Sequence, residues 1–366
     1  MLKKVSLTAI ILLTAYLGFS QDEKPAEEKS KFTISGNVDA YYRFNFANAK
    51  DEMRTNNFTS FTNSQNSFEL GMASVKFEYS SGKIGAVADL GFGNRAAEFS
   101  YTDVTTSIDD NFDEVTSPTL LAAVKQAYVT YAPSDVVKFS FGKWATHVGY
   151  ELLDPQLNRN YSMSYMFSYG PFSHTGIKAD FKISDHFGAM VGLANPTDYV
   201  SASFAKKFFI GQLSTTCDNF SAYFNYVGGK DFDDAVNNQF GLTAIGTIND
   251  KFSIGYDGTV KTYKPMGGSS DSWWGSALYL NVDPTPKFGL TLRGEYFDDK
   301  KDVLGFNTSI FDATLSFDIK PVEGLLIIPE FRIDSAKDPI YYKNSDTNNP
   351  TAKSTGSFVL AAVVSF

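Results

Sequence analysis

The stretch FTISGNVDAYYRFNF, Phe32–Phe46, decides the fold. Phe32, Ile34, Val38, Ala40, Tyr42, Phe44 and Phe46 alternate with Thr33, Ser35, Asn37, Asp39, Tyr41, Arg43 and Asn45. Side chains on a β-strand point alternately to opposite faces, so this segment has one apolar and one wet side. It is longer than the about 5–6 residues of an ordinary globular strand. A tilted membrane-crossing strand needs about 9–11.

The same layout returns along the chain. Apolar faces form at Ile84, Ala86, Ala88, Leu90 and Phe92; at Ile177, Ala179, Phe181 and Ile183; and at Phe240, Leu242, Ala244 and Ile248. Further ones form at Phe288, Leu290, Leu292 and Tyr296; at Phe311, Ala313, Leu315, Phe317 and Ile319; and at Phe358, Leu360, Ala362, Val364 and Phe366. None carries a charge, whereas the intervening positions hold Asp89, Lys178, Asp180, Lys182, Arg293, Glu295, Asp312 and Asp318. About sixteen such strands are expected, an even number of the kind single-chain bacterial barrels use.

Connections alternate in length. Short ones fall at Ser81-Gly82, Pro133 to Asp135, Ser184 to His186, Cys217 to Asn219, Asn249-Asp250, Asp283 to Pro286 and Pro321 to Gly324. Long ones include Ala47 to Asn66, Asn94 to Thr119, Ala145 to Ser173 and Ala336 to Thr355, the third reading as the longest. Phe187, Phe220, Phe252 and Phe288 each open the strand after a short turn, as an interfacial aromatic girdle requires, joined by Tyr131, Phe32 and Phe366. Trp273, Tyr296, Phe297 and Phe92 are the candidates for a second girdle. Pro329 sits inside the strand Leu325 to Asp334 and invites a bulge.

The first twenty residues read as a signal peptide: Lys3 and Lys4, an apolar run Val5 to Leu17, then Gly18, Phe19 and Ser20 before a cut at Gln21. Residues 21–31 read as a flexible periplasmic leader and 32–366 as one barrel. Composition agrees: 33 Phe and 20 Tyr accompany only 20% charged residues. The net charge is -9, and losing Lys3 and Lys4 makes the exported chain more acidic still, which excludes nucleic-acid binding. One cysteine, Cys217, excludes an intrachain disulfide framework.

Catalytic and metal patterns are missing. His147, His174 and His186 have no ligand spacing. No serine sits in a nucleophile elbow. The expectation is no enzyme, no cofactor and no metal.

The central block is distinctive. Gly142-Lys143, Gly149, Glu151, Asp154 to Ser162 (DPQLNRNYS) and Pro171 to Gly176 resemble the OmpL-like β-barrel porins of bacteria. Gln21 after the cut is similar to exported proteins of Bacteroidota, and the final strand ending at Phe366 looks like the signal read by the barrel insertion machinery. The resemblance implies an outer-membrane barrel and, less directly, a porin. It brings no functional residues with it.

The expected fold is therefore all-β: a transmembrane antiparallel up-and-down β-barrel of about sixteen strands with a long third outer loop. By analogy with sixteen-stranded porins, the segment Ala145 to Ser173 folds into the lumen, with a short helix over Asn160 to Phe167. Glu151, Asn158, Arg159 and Asn160 would then build a constriction, or equally belong to a loop packed on its neighbours. Arg43, Asp89, Lys178, Arg293, Glu295, Glu330 and Arg332 fall on wet faces. They either set the field of a pore or pair into interior salt bridges.

The function expected is passive diffusion of small hydrophilic solutes or ions, with a mild cation preference from the acidic balance. The alternative is a plugged barrel serving as adhesin, receptor or scaffold. Partners expected are outer-membrane lipid, small hydrophilic solutes and two further copies of the chain as a homotrimer. A soluble β-sandwich shares the one-sided apolar pattern. Strand length, aromatic banding and the terminal Phe argue against it.

Overall fold

The computed structural model describes residues 30–49, 55–108, 114–343 and 349–366, with backbone alone at 105–108 and 114–116. The expected signal peptide and nearly all of the leader lie outside the described residues, as do parts of three long connections.

The chain forms β1 (Lys31–Asn45), β2 (Ser67–Ser81), β3 (Ile84–Phe92), helix α1 (Asn94–Phe99), β4 (Val104–Ile108), β5 (Glu114–Pro118), β6 (Val124–Tyr131) and β7 (Val137–Ala145). Helix α2 (Tyr165–Tyr169), β8 (Ser173–Lys182), β9 (Phe187–Ala194), β10 (Phe208–Cys217), β11 (Phe220–Lys230) and β12 (Val236–Asn249) follow. The remainder is β13 (Phe252–Lys264), β14 (Asp271–Thr285), β15 (Phe288–Asp298), β16 (Ser309–Ile319), β17 (Leu325–Ala336) and β18 (Ser354–Ser365). Strands β4 and β5 pair with each other; the other sixteen close into one antiparallel barrel, β1 against β18 with Val38 opposite Val364.

Burial is inverted relative to a soluble protein, and the alternation explains why. On β1, Asn37, Asp39, Arg43 and Asn45 are 2% exposed or less, while Phe32, Ile34 and Val38 stand open on the outside. On β15 and β16, Thr291, Arg293, Glu295, Asp312, Thr314 and Ser316 are buried between exposed Leu292 and Phe311. A surface of exposed Phe, Leu, Ile and Val this broad is stable only against an apolar medium.

Two interruptions of the ladder re-aim side chains, as bulges do. Between β1 and β2 the register shifts at Asp39/Ala40, leaving Gly71 unpaired. A Cβ on Gly71 would fall 1.8 Å from Asp39 Oδ2, so no larger residue fits beside that carboxylate. Between β3 and β6 the shift at Asp89/Leu90 leaves Lys125 as the extra residue. Lys125 and its neighbour Gln126 then both turn inward onto Asp89, each at 3.1 Å.

Several local expectations are corrected. Pro329 causes no bulge: it keeps register with Leu360, and toward β16 the ladder simply skips from Ser316↔Glu330 to Ile319↔Ile327. The ladder opens where proline has no N–H to give. Asp283 belongs to β14 rather than a turn. Trp273 and Phe297 are fully buried inside the barrel; the outward rings are Trp274 and Tyr296, tilted against each other with centroids 5.3 Å apart. Phe187, Phe220, Phe252 and Phe288 do open β9, β11, β13 and β15. The stretch 93–123 between β3 and β6 outruns 146–172, and the helix expected from Asn160 begins only at Tyr165.

Candidate functional site

Residues 146–172, joining β7 to β8, lie against the inner faces of the barrel. The segment is held at its two ends, across its middle, and on the helix.

The entry is apolar. Val148 packs with Trp144, Met190, Phe208, Ile210 and Val227. His147 donates Nε2–H to the Tyr226 carbonyl at 3.3 Å, since a carbonyl only accepts, and its own carbonyl accepts from Gln212 at 3.2 Å. Its ring lies 5.1 Å from that of His174. Burial pushes the His147 pKa down to about 4, against the support of the Tyr226 hydrogen bond. Tyr150 stacks on Tyr279 at 4.1 Å, and its N–H reaches Asp257.

The middle is polar. Arg159 forms a two-pronged ion pair with Asp283 (2.8 and 3.0 Å) and donates to Thr291. Asn160 donates to Ser316 at 2.6 Å. Asn158 closes a local ring instead, accepting from Leu152 N at 2.8 Å and donating to the Leu152 carbonyl. Glu330 of β17 accepts from the backbone of Tyr161 (2.7 Å) and Ser162 (3.1 Å) and from Ser316. The Tyr161 hydroxyl donates to Asp39 at 2.5 Å.

Helix α2 is short and would fray alone. Its start is satisfied from outside: Ser164 caps Phe167 N at 3.1 Å, and Glu295 of β15 accepts from Tyr165 N and Met166 N, both at 2.8 Å. A carboxylate on the first free N–H groups also complements the helix dipole.

Beneath α2 runs a chain of buried charges. Glu151 accepts from Ser164 N and from Arg293 at 2.6 Å. Arg293 reaches Asp312 at 3.0 Å, Asp312 meets Arg332 at 2.8 Å, and Arg332 forks onto Asp334. Arg293 also donates to the Ser162 carbonyl and Arg332 to that of Met163, both at 2.7 Å. Buried charge is tolerable only when paired and hydrogen-bonded like this.

The exit is tied by Asp198, in the β9–β10 connection. Its carboxylate accepts from Phe172 N (2.7 Å), Ser173 N (2.8 Å) and the Tyr101 hydroxyl (3.0 Å). Burial nevertheless raises its pKa to about 6.

Of the residues singled out in the sequence, Glu151, Arg293, Glu295, Glu330 and Arg332 meet around the same few turns of the segment. Arg159 and Asn160 bind it to the wall nearby. Arg43 is apart, donating to the carbonyls of Thr55 (3.0 Å) and Ser64 (2.7 Å) in the β1–β2 connection. Asp89 belongs to the Lys125 group, which takes in Asp154 at 2.5 Å. Among the described residues Lys178 pairs only with Asp180, at 3.4 Å, and lies over the Trp144 ring.

Sequence reasoning missed Arg95. This α1 residue is sandwiched between the rings of Phe61 (4.9 Å) and Tyr161 (4.7 Å) and donates to the carbonyls of Leu153 and Tyr161. No periodicity marks an arginine on a one-turn helix. Asp312 was legible as a wet-face charge, but not as the bridge between Arg293 and Arg332, and Asp334 was not singled out.

At the barrel end opposite the chain termini, a cavity of about 640 Å³ opens among the connections, with Phe172, Asp198 and Phe208 among its lining. Among the described residues no cluster of His, Cys, Asp or Glu is arranged to hold a metal ion.

A lipid-facing barrel with an inward-folded segment is the architecture of porins, and comparisons agree. The family described as "Putative beta-barrel porin-2, OmpL-like" matches residues 31–366, and the chain belongs to it. Among solved structures, an anion-selective porin from Comamonas acidovorans superposes with TM-score 0.60 at 11% identity, covering 92% of this chain and 100% of that one. The outer membrane channel DcaP of Acinetobacter baumannii gives 0.60 at 13%, covering 93% and 99%. OmpT of Vibrio cholerae in its trimer form gives 0.58 at 13%, covering 92% and 99%. These likenesses concern the fold. No curated protein matches the sequence.

Proposed function

We propose that this porin-family barrel passes small hydrophilic solutes or ions passively across the outer membrane, through a lumen narrowed by residues 146–172. The observation that carries the reading is the inverted burial: charged side chains such as Arg293 and Asp312 are fully enclosed, while Leu292 and Phe311 are open. A sixteen-stranded closed barrel is wide enough for an aqueous channel. In this reading Glu151, Asn158 and Arg159 shape the constriction from the segment. Arg43, Asp89, Lys178, Arg293, Glu295, Glu330 and Arg332 set the field from the wall.

Export by the signal peptide, insertion through the strand ending at Phe366, and assembly as a homotrimer belong to the same proposal. The trimer is supported by the trimer form of OmpT. The long connections then face outward and the short turns the periplasm.

Planar-bilayer recording of the purified protein tests the channel. Discrete conductance steps are expected; steps no larger than those of bare membrane sink it. In a salt gradient, a reversal potential of cation sign is expected from the acidic composition. A zero or opposite potential removes that preference. The dense bonding of 146–172 favours a second reading, a plugged barrel acting as adhesin, receptor or scaffold, and absent conductance would select it.

A further inference from the structure

The cavity of about 640 Å³ at the long-connection end contains a cation that has no pairing partner among the described residues. Lys261 lies on the inner face of β13, opposite Gln239 of β12 and Trp273 of β14. Among the described residues its ammonium makes no hydrogen bond or ion pair. Asp198 and Asp231 line the same cavity and act on it only through space.

The carboxylates around it are differently placed. Asp198 already accepts from two backbone N–H groups and the Tyr101 hydroxyl. Glu98 accepts from Phe61 N at 2.8 Å and from Asn63. Asp231 takes one donor, Phe232 N at 2.9 Å, on a single oxygen. The protein thus supplies donors to its acids and leaves the base without an acceptor. A half-enclosed ammonium in that position is free to donate a charged hydrogen bond to an anion.

The remaining lining restricts what that anion can be. Tyr101 is pinned through its hydroxyl yet remains half exposed, and Tyr169 and Tyr199 line the cavity with it. Aromatic surfaces of this kind accept the flat apolar side of a ring. Asn237 and the open oxygen of Asp231 ask for hydroxyl groups. A bare aromatic acid offers Asp231 only repulsion, because it has nothing to donate.

We propose that this cavity binds a sugar acid, a small hydroxylated ring carrying one carboxylate, with Lys261 as its anchor. The inference names a solute class for the channel proposed above and rests on that reading for its purpose, but occupancy of the cavity does not require an open lumen.

The test is isothermal titration of the detergent-solubilised full-length protein with glucuronate, glucose and cyclohexanecarboxylate, with bilayer conductance recorded on the same preparation. Glucuronate should bind about ten-fold more tightly than either of the others, the margin expected of one charged hydrogen bond. Lys261→Gln should erase the margin over glucose, and Lys261→Arg should keep most of it. Equal affinity of the native protein for all three probes, or a margin that survives Lys261→Gln, overturns the site. Conductance without selective glucuronate binding removes the sugar-acid site and leaves the channel. Selective binding without conductance keeps the site and removes the channel.

Discussion

The two sides of the barrel interior hold the inward segment by different means. On the β15–β17 side, Arg293, Glu295, Asp312, Glu330 and Arg332 are each 4% exposed or less; all but Asp312, which bridges the two arginines, bind the segment's backbone through charged hydrogen bonds. On the β9–β11 side the contact is the apolar cluster around Val148, with Met190, Ile210 and Val227, supplemented by the His147 and Gln212 bonds. Directional bonds fix a position; apolar contacts fix only proximity. The segment is therefore registered by charged groups along the first wall, and on the other by apolar contact with a few hydrogen bonds at its ends.

The sharpest way to break that contrast is Arg293→Leu. As a lumen-facing pore charge, one of the two readings the sequence leaves open, Arg293 would be nearly silent for folding and its loss visible only in conductance. The structure reverses the expectation, because Glu151 would be left buried without its cation and Asp312 with Arg332 alone. A loss of about 3–5 kcal/mol is expected, read as a fall in the urea midpoint. An unchanged midpoint would dissolve the distinction between the walls. Its outward neighbour checks the inside-out assignment: Leu292→Arg should cost about 2–4 kcal/mol near mid-bilayer. If it unfolds the barrel no more readily than wild type, the apolar face is not in lipid.

Glu295→Gln keeps the shape but weakens the hold on Tyr165 N and Met166 N. A cost of about 1–3 kcal/mol is expected, with larger and noisier single-channel currents. Unaltered currents would mean α2 is fixed without it.

The ends of the segment should respond to pH in opposite directions. His147 stays neutral in the fold down to about 4, against an ordinary 6.5, so stability falls as pH drops through that window. Asp198 holds its proton up to about 6, against an ordinary 3.8, so stability there falls as pH rises from 3.8 to 6. The neighbours are His174, Lys178 and Asp180 for the first, Tyr101 and Lys261 for the second. His147→Asn should flatten the acid-side loss and Asp198→Asn the opposite slope, in urea midpoints measured between pH 4 and 7. Both variants tracking wild type would assign the pH response elsewhere. Smallest of all, Lys178→Gln removes a part-exposed pair and should shift stability by less than about 1 kcal/mol.

The barrel was legible because lipid imposes a period of two on every strand, and charges such as Asp89, Arg293 and Asp318 honour it. The outward and inward members of Trp273-Trp274 were not separable, since adjacent identical rings carry no alternation. The candidate site was half legible. Its wall charges sit in periodic strands, but their partners Glu151 and Tyr161 lie in an aperiodic connection, and the Glu151–Arg293 contact joins positions 142 apart. Arg95 gave no signal because its binding surface, two rings and two carbonyls, exists only once three connections have folded together.

The seam between the first and last strands has a temporal meaning. Gly36 N reaches the carbonyl of the final residue, Phe366, at 3.0 Å, and Phe366 N returns to Gly36 at 3.1 Å. A polypeptide without β18 thus has two bare edges, on β1 and on β17. Closure waits on that one strand.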